Sequence, residues 1–156
     1  MQPIKSIYLD LINTWYPDPT LDIRQAADSG YNVIILSFYL LSGPADVVYA
    51  WTNIASEDQR TATLKYIHDK GSILLMSCGG ATDEPYETKT GKEYGELTAE
   101  VALKYGFDGV DYDLEGFSPG LTYGTLNSQE IIDWLTDCTL TARQILGSDK
   151  YITHAP

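Results

Sequence analysis

The stretch Gly106–Gly116, GFDGVDYDLEG, decides how this chain is read. From Phe107 to Leu114 its residues alternate as in a strand, which sends successive side chains to opposite faces. Val110, Tyr112 and Leu114 fall on one face, and Asp111, Asp113 and Glu115 on the other. Residues two apart on a strand are separated by roughly 6.5–7 Å, so the carboxyls form one row. Like charges in such a row coexist at neutral pH only when protons are shared and at least one pKa is raised. A general acid needs that environment. The competing readings are a solvated acidic edge and a calcium loop. Calcium loops place their ligands on a turn rich in Gly and Asn. The spacers here are Val, Tyr and Leu, which suit a buried, pleated face.

Two other stretches belong with it. Ser77-Cys78-Gly79-Gly80 follows the apolar run Ile73–Met76, about one βα unit upstream, and the chain closes on Tyr151–Pro156, YITHAP. Asp108–Glu115, DGVDYDLE, resembles the D-x-x-D-x-D-x-E signature of glycoside hydrolase family 18, and Ser77–Gly80 resembles that family's S-x-G-G motif. YITHAP is similar to the end of the fifth strand in its plant class III and fungal branch. The resemblance runs over essentially the whole chain. It implies the N-terminal half of a family 18 catalytic barrel, in a family of chitinases, endo-β-N-acetylglucosaminidases and inactive carbohydrate-binding relatives.

Composition is compatible with this. At 156 residues the chain is one domain with room for a substantial core. A net charge of -12 argues against nucleic acid and anionic membranes, which need basic patches. No run approaches the ~20 apolar residues of a spanning helix. Met1-Gln2 leads straight into the first strand, so a secretion signal is either removed or never present; the compartment stays open, with an extracellular one favoured. Cys78 and Cys138 do not make a disulfide framework, and two buried free thiols are expected. His68 and His154 stand apart without zinc spacing, and Gly79-Gly80 lacks the flanks of a phosphate loop. No metal or cofactor is expected.

Outward from the acidic stretch, strand and helix alternate. Ile4–Asn13 reads as strand one, with Ile7, Leu9 and Leu11 facing one way and Tyr8, Asp10 and Ile12 the other. Asp10 in such a run suggests a polar barrel interior near a site, or a solvated acid on an edge strand. Thr14–Pro19, with two prolines, is a loop; its Trp15 and Tyr16 either stack on sugar rings or pack under their own loop. Thr20 is expected to cap a helix over Leu21–Ser29, stopped by Gly30. Asn32–Leu41 is a nearly continuous apolar run, as in a parallel strand covered on both faces, and its Phe38 matches an aromatic that ends the second strand in many family members. Ser42-Gly43-Pro44 opens a loop carrying Tyr49 and Trp51. Ser56 and Gln59 form a capping box for a helix to about Lys70.

Ser72–Cys78 is strand three, where Gly79-Gly80 lets backbone or substrate approach closely. Ala81–Lys92 reads as a polar loop, and Glu93–Lys104 as a helix delivering strand four. Phe117–Asn127 is a loop. The stripe Ile131, Leu135, Cys138, Ala142 and Ile145 marks an amphipathic helix, and Tyr151–Ala155 starts strand five. The fold class is therefore α/β, a parallel (β/α) repeat of four units plus a fifth strand. Both motifs lie at strand carboxyl ends, where barrel enzymes place their sites.

A complete (β/α)₈ barrel takes about 250 residues. A half barrel leaves two strand edges and an apolar inner face open. The chain is then a piece of a longer enzyme or a natural half-domain that pairs with a second copy or a complementing half; alternatively strand five folds back over an edge. The resemblance assigns roles by residue. Glu115 is the general acid and later base, Asp113 orients the substrate acetamido group, Asp111 shares a proton with Asp113, and Ser77 supports them. The substrate implied is a β-1,4-N-acetylglucosamine oligosaccharide or polymer. The tyrosine on strand six and the aromatic on strand eight that family members use fall beyond this chain.

Overall fold

A computed structural model of the protein describes residues 3–11, 18–115 and 128–155. In chain order its elements begin β1 (Ser6–Leu9), α1 (Leu21–Asp28), β2 (Val33–Leu40), β3 (Gly43–Pro44) and α2 (Asp46–Tyr49). There follow α3 (Glu57–Asp69), β4 (Ile73–Gly79), α4 (Gly91–Lys104), β5 (Gly109–Asp113), α5 (Ser128–Leu146) and β6 (Tyr151–His154). Five strands run parallel in the order β1-β2-β4-β5-β6, and β3 pairs antiparallel with the end of β2. Sheet order follows chain order, as in a barrel wall.

Alternation along the strands separates two environments. Ile34, Leu36, Leu74, Met76, Val110 and Tyr112 are buried in the core with Ile67, Tyr94, Trp134 and Cys138 of the helices. Tyr8, Ile35, Leu75, Asp111 and Thr153 point the other way, into an open cavity of about 490 Å³. The tightest helix contact is between α4 and α5. A β-carbon at Gly91 or Gly95 would overlap the carbonyl oxygen of Trp134 or Cys138, so glycine lets the two backbones touch.

The parallel repeat and the Ser56–Gln59 capping box are as the sequence predicts. Several local expectations change. Strand one spans only Ser6–Leu9, because its pairing with β2 ends at Leu9 opposite Leu36, just where the register of β2 against β4 shifts. Thr20 sits at the N-cap of α1, but its side chain makes no capping bond. It is buried, its hydroxyl donating to Asp18 and accepting from Arg24 and Thr63. Residues 42–54 are not a loop: β3 and α2 occupy them, and a π-helical turn over Ala50–Ile54 buries Trp51, whose indole N–H donates to the Tyr105 carbonyl at 3.0 Å. Helix α4 starts at Gly91 because Thr90 and Glu93 form a second capping box. The polar loop before it carries a short 3₁₀ turn over Pro85–Glu87 and the buried Asp83 and Tyr86. β6 does not fold back over an edge; it extends the sheet beyond β5 and is itself the last strand of the row. Among the described residues, no helix is long and apolar enough to cross a membrane.

Candidate active site

The two acidic positions of β5 and the Ser77–Gly80 motif meet by register. Ser77 pairs with Asp111 and Gly79 with Asp113, so the motifs lie side by side at the carboxyl ends of adjacent strands. Asp111 is 1% exposed. Its Oδ2 accepts hydrogen bonds from the Tyr8 hydroxyl at 2.9 Å and the Ser77 hydroxyl at 3.0 Å, and its Oδ1 accepts from the Thr153 hydroxyl at 2.5 Å. The three donors come from β1, β4 and β6. Burial, followed by the charge and hydrogen bond of Asp111 and the charge of Asp113, pushes the Tyr8 phenol well above its ordinary pKa. The phenol therefore stays a donor.

Asp113 is half-buried at the end of β5. Burial, then the charge of Glu115, then that of Asp111, raise its pKa above the usual carboxylate value. Glu115 is exposed and lies past the strand, not on it as the alternation suggests. Pairing of β5 with β4 stops at Gly79 opposite Asp113, which frees the chain to turn. The row thus grades from the buried Asp111 through Asp113 to Glu115 at the open end.

Gly79 and Gly80 set this geometry through the backbone. Both have φ in the left-handed region, +112° and +92°. A β-carbon at Gly79 would collide with the Asp113 carbonyl, and the Gly80 N–H donates to that same carbonyl at 2.6 Å. Gly80 also faces the Phe38 ring, whose atoms lie 3.3 Å from where a β-carbon would sit. Phe38 is half-buried within β2, so Phe38, Gly80 and Asp113 are brought together. Asp10 is exposed one position past β1 and is not among the donors and acceptors around Asp111. Trp15, Tyr16 and the loop Phe117–Asn127 lie outside the described residues.

Three contributors were not singled out from the sequence. Tyr8 shares the strand face of Asp10, and Thr153 sits inside YITHAP, so both carried a signal. Asp83 carried none. It is buried, accepts the Leu41 N–H at 3.0 and 3.1 Å, and so ties the segment after β4 to the end of β2. Burial raises its pKa against these bonds. Cys78 and Cys138 are free and buried on the helical side, and burial pushes both thiols up, away from nucleophilic chemistry. His68 pairs with Asp108 at 2.8 Å and His154 with Thr139 at 3.1 Å. Among the described residues no group of three or more His, Cys, Asp or Glu is placed to hold a metal ion.

Fold and site together define a partial (β/α) barrel wall with an acidic centre at the carboxyl ends of its strands. Proteins similar to this chain in sequence are chitinases. It is 30% identical over 100 residues to Chitinase D of Niallia circulans, covering 62% of this chain and 19% of that protein. It is 29% identical over 122 residues to Endochitinase 4 of Metarhizium anisopliae, covering 74% of this chain and 42% of the relative. The chain therefore spans less than half the length of these relatives. In structure it resembles a GH18 chitinase from Pseudoalteromonas aurantia, with a TM-score of 0.67 at 23% identity over 97% of this chain and 54% of the other. A xylanase and α-amylase inhibitor protein from Scadoxus multiflorus has the same fold, with a TM-score of 0.55 at 18% identity over 97% and 55%. No protein-family model matches the chain.

Proposed function

We propose that this chain is a single partial family 18 catalytic domain, of the plant class III and fungal type. In it the acidic centre hydrolyses β-1,4 linkages at N-acetylglucosamine with retention of configuration. The observation that carries this reading is the alignment of Ser77 with Asp111 and of Gly79 with Asp113, with the charge of Glu115 felt at Asp113. In the proposed reaction Glu115 gives its proton to the glycosidic oxygen as the C1–O bond breaks. The substrate's acetamido oxygen attacks C1 and closes an oxazolinium ring, one of the exceptions to carboxylate nucleophiles among glycosidases. Asp113 accepts the acetamido N–H, which becomes more acidic as positive charge develops. Water then attacks C1, Glu115 takes its proton, and the ring reopens.

Closure of the barrel belongs to the same proposal. β1 and β6 end the sheet, and Ile4 and Tyr151 at the cavity are 81% and 50% exposed. Further strands of a longer chain, a second copy or a complementing half-barrel would cover this face; four units from each of two chains would make eight. Light scattering tests self-closure, and a strict monomer in dilute solution counts against it.

The direct experiment is hydrolysis of a chromogenic chitobioside or chitotrioside by the wild-type chain and by Glu115→Gln. Loss of turnover in the variant supports the assignment, and unchanged turnover removes it. Assaying colloidal chitin beside a high-mannose glycoprotein separates chitinase from endo-β-N-acetylglucosaminidase action. The second reading, a carbohydrate-binding half-barrel without catalysis, is favoured by the exposure of Glu115 past the end of β5. Calorimetric binding of chito-oligosaccharides without any product identifies it.

A further inference from the structure

We propose that Thr153 is a positioning residue for the acid pair, its hydroxyl fixing the carboxyl plane of Asp111 from the β6 side. The inference rests on the reading of Asp111 and Asp113 as a working pair. Asp111 is bracketed in register by Ser77 on β4 and Thr153 on β6. Tyr8 and Ser77 both donate to Oδ2, and Thr153 alone among the described residues donates to Oδ1. The terminal torsion of an aspartate is broad, so a carboxyl anchored at one oxygen still pivots, whereas donors on both oxygens hold its plane. Thr153 suits the task because a β-branched side chain is stiff about its first torsion and its backbone lies directly opposite that of Asp111.

The consequence is electrical as well as geometric. Groups facing Asp111 are Tyr8 from β1 and Asp113 along its own strand, with Glu115 beyond; Cys78 and His154, which pairs in register with Tyr112, act from the opposite face of the sheet. Removing the Thr153 hydroxyl leaves one oxygen of a buried carboxylate without its donor. The Asp111 charge that bears on Asp113 is then no longer fixed in place.

The test is a carbon-13 carboxyl titration of the 156-residue chain labelled at aspartate. Thr153→Val keeps the shape and should shift the titration of Asp113, which the charge of Asp111 helps to raise, by about one pH unit. Thr153→Ser restores the hydroxyl and should return it. Should Val prevent folding, Thr153→Ala carries the same test. A hydroxyl-free variant that folds yet titrates like the wild type overturns the proposal, because a purely structural role changes unfolding and leaves the titration in place. The titration needs no turnover, so a chain lacking glycosidase activity still answers it.

Discussion

The hydroxyl of Tyr8 donates to Asp111 Oδ2 at 2.9 Å although β2 and β4 stand between their strands in the sheet. Such a bond forms only if the sheet curls until its first strand faces its fourth. The right-handed twist of parallel strands bends a sheet this way, and the polar contact closes the chord of the arc. Thr153 reaches the same carboxylate from the opposite edge. Asp111 therefore links both ends of the row, and the curvature that forms the site also depends on it.

Tyr8→Phe tests that link. Hydrogen bonds to charged groups contribute roughly 1.5–3 kcal/mol; Tyr8 is 42% exposed, which favours the lower end. Urea unfolding at pH 7 should show a loss of about 1–2 kcal/mol with an unchanged m-value. The sign with pH follows from the raised phenol pKa. A group whose folded pKa lies above its unfolded value stabilises fully below the unfolded pKa, near 10 for tyrosine, and loses this as pH rises through the folded one. Wild-type chain should therefore lose more stability than Tyr8→Phe between neutral and strongly alkaline pH. Equal losses would mean that the phenol ionises as freely in the fold as outside it.

Asp113→Asn separates stability from function. The folded Asp113 pKa is raised, first by burial and then by Glu115 and Asp111. By the same linkage, its contribution is favourable below the ordinary aspartate pKa and is lost as pH rises through the folded value. At neutral pH the ionised group strains the fold. Asparagine removes that charge, so the variant should be more stable than wild type at pH 7 and gain nothing near pH 3. Thermal unfolding at both pH values checks this. A variant less stable at pH 7 would show that Asp113 is held by favourable contacts that outweigh its repulsions.

The repeat was legible because its signals are long. Apolar runs such as Val33–Leu40 mark strands covered on both faces, and glycines after the helices mark where each ends. Asp111 and Asp113 were legible because the two-residue period of a strand is strict. The alternation puts Glu115 on the strand because sequence does not show where pairing stops. Here it stops at Gly79 opposite Asp113. Trp51 read as a loop aromatic because Gly43-Pro44 looks like a break; the chain instead turns into β3 and a helical segment that carries the indole into the core. Tyr8, Thr153 and Asp83 act through tertiary contacts, to residues 103, 42 and 42 positions away, which local pattern does not encode.

Gly79 holds β5 through the absence of a side chain. Two costs fall on Gly79→Ala. Its φ of +112° is one that L-residues rarely adopt, and the new β-carbon would overlap the Asp113 carbonyl. Gly71 provides the control, since its φ is +79° but nothing lies within 4 Å of the added carbon. Gly71→Ala should therefore cost only the backbone term, about 1 kcal/mol. Gly79→Ala should cost at least about 2 kcal/mol, because β5 must also move and the Gly80-to-Asp113 hydrogen bond must stretch. Urea midpoints of the two variants give the comparison directly. If they coincide, the chain after β4 does not press on Asp113, and the glycine pair is required for its turn alone. If Gly79→Ala is the worse, the Ser77–Gly80 stretch has two separable duties: a hydroxyl for Asp111 and an absent side chain that lets Asp113 sit against β4.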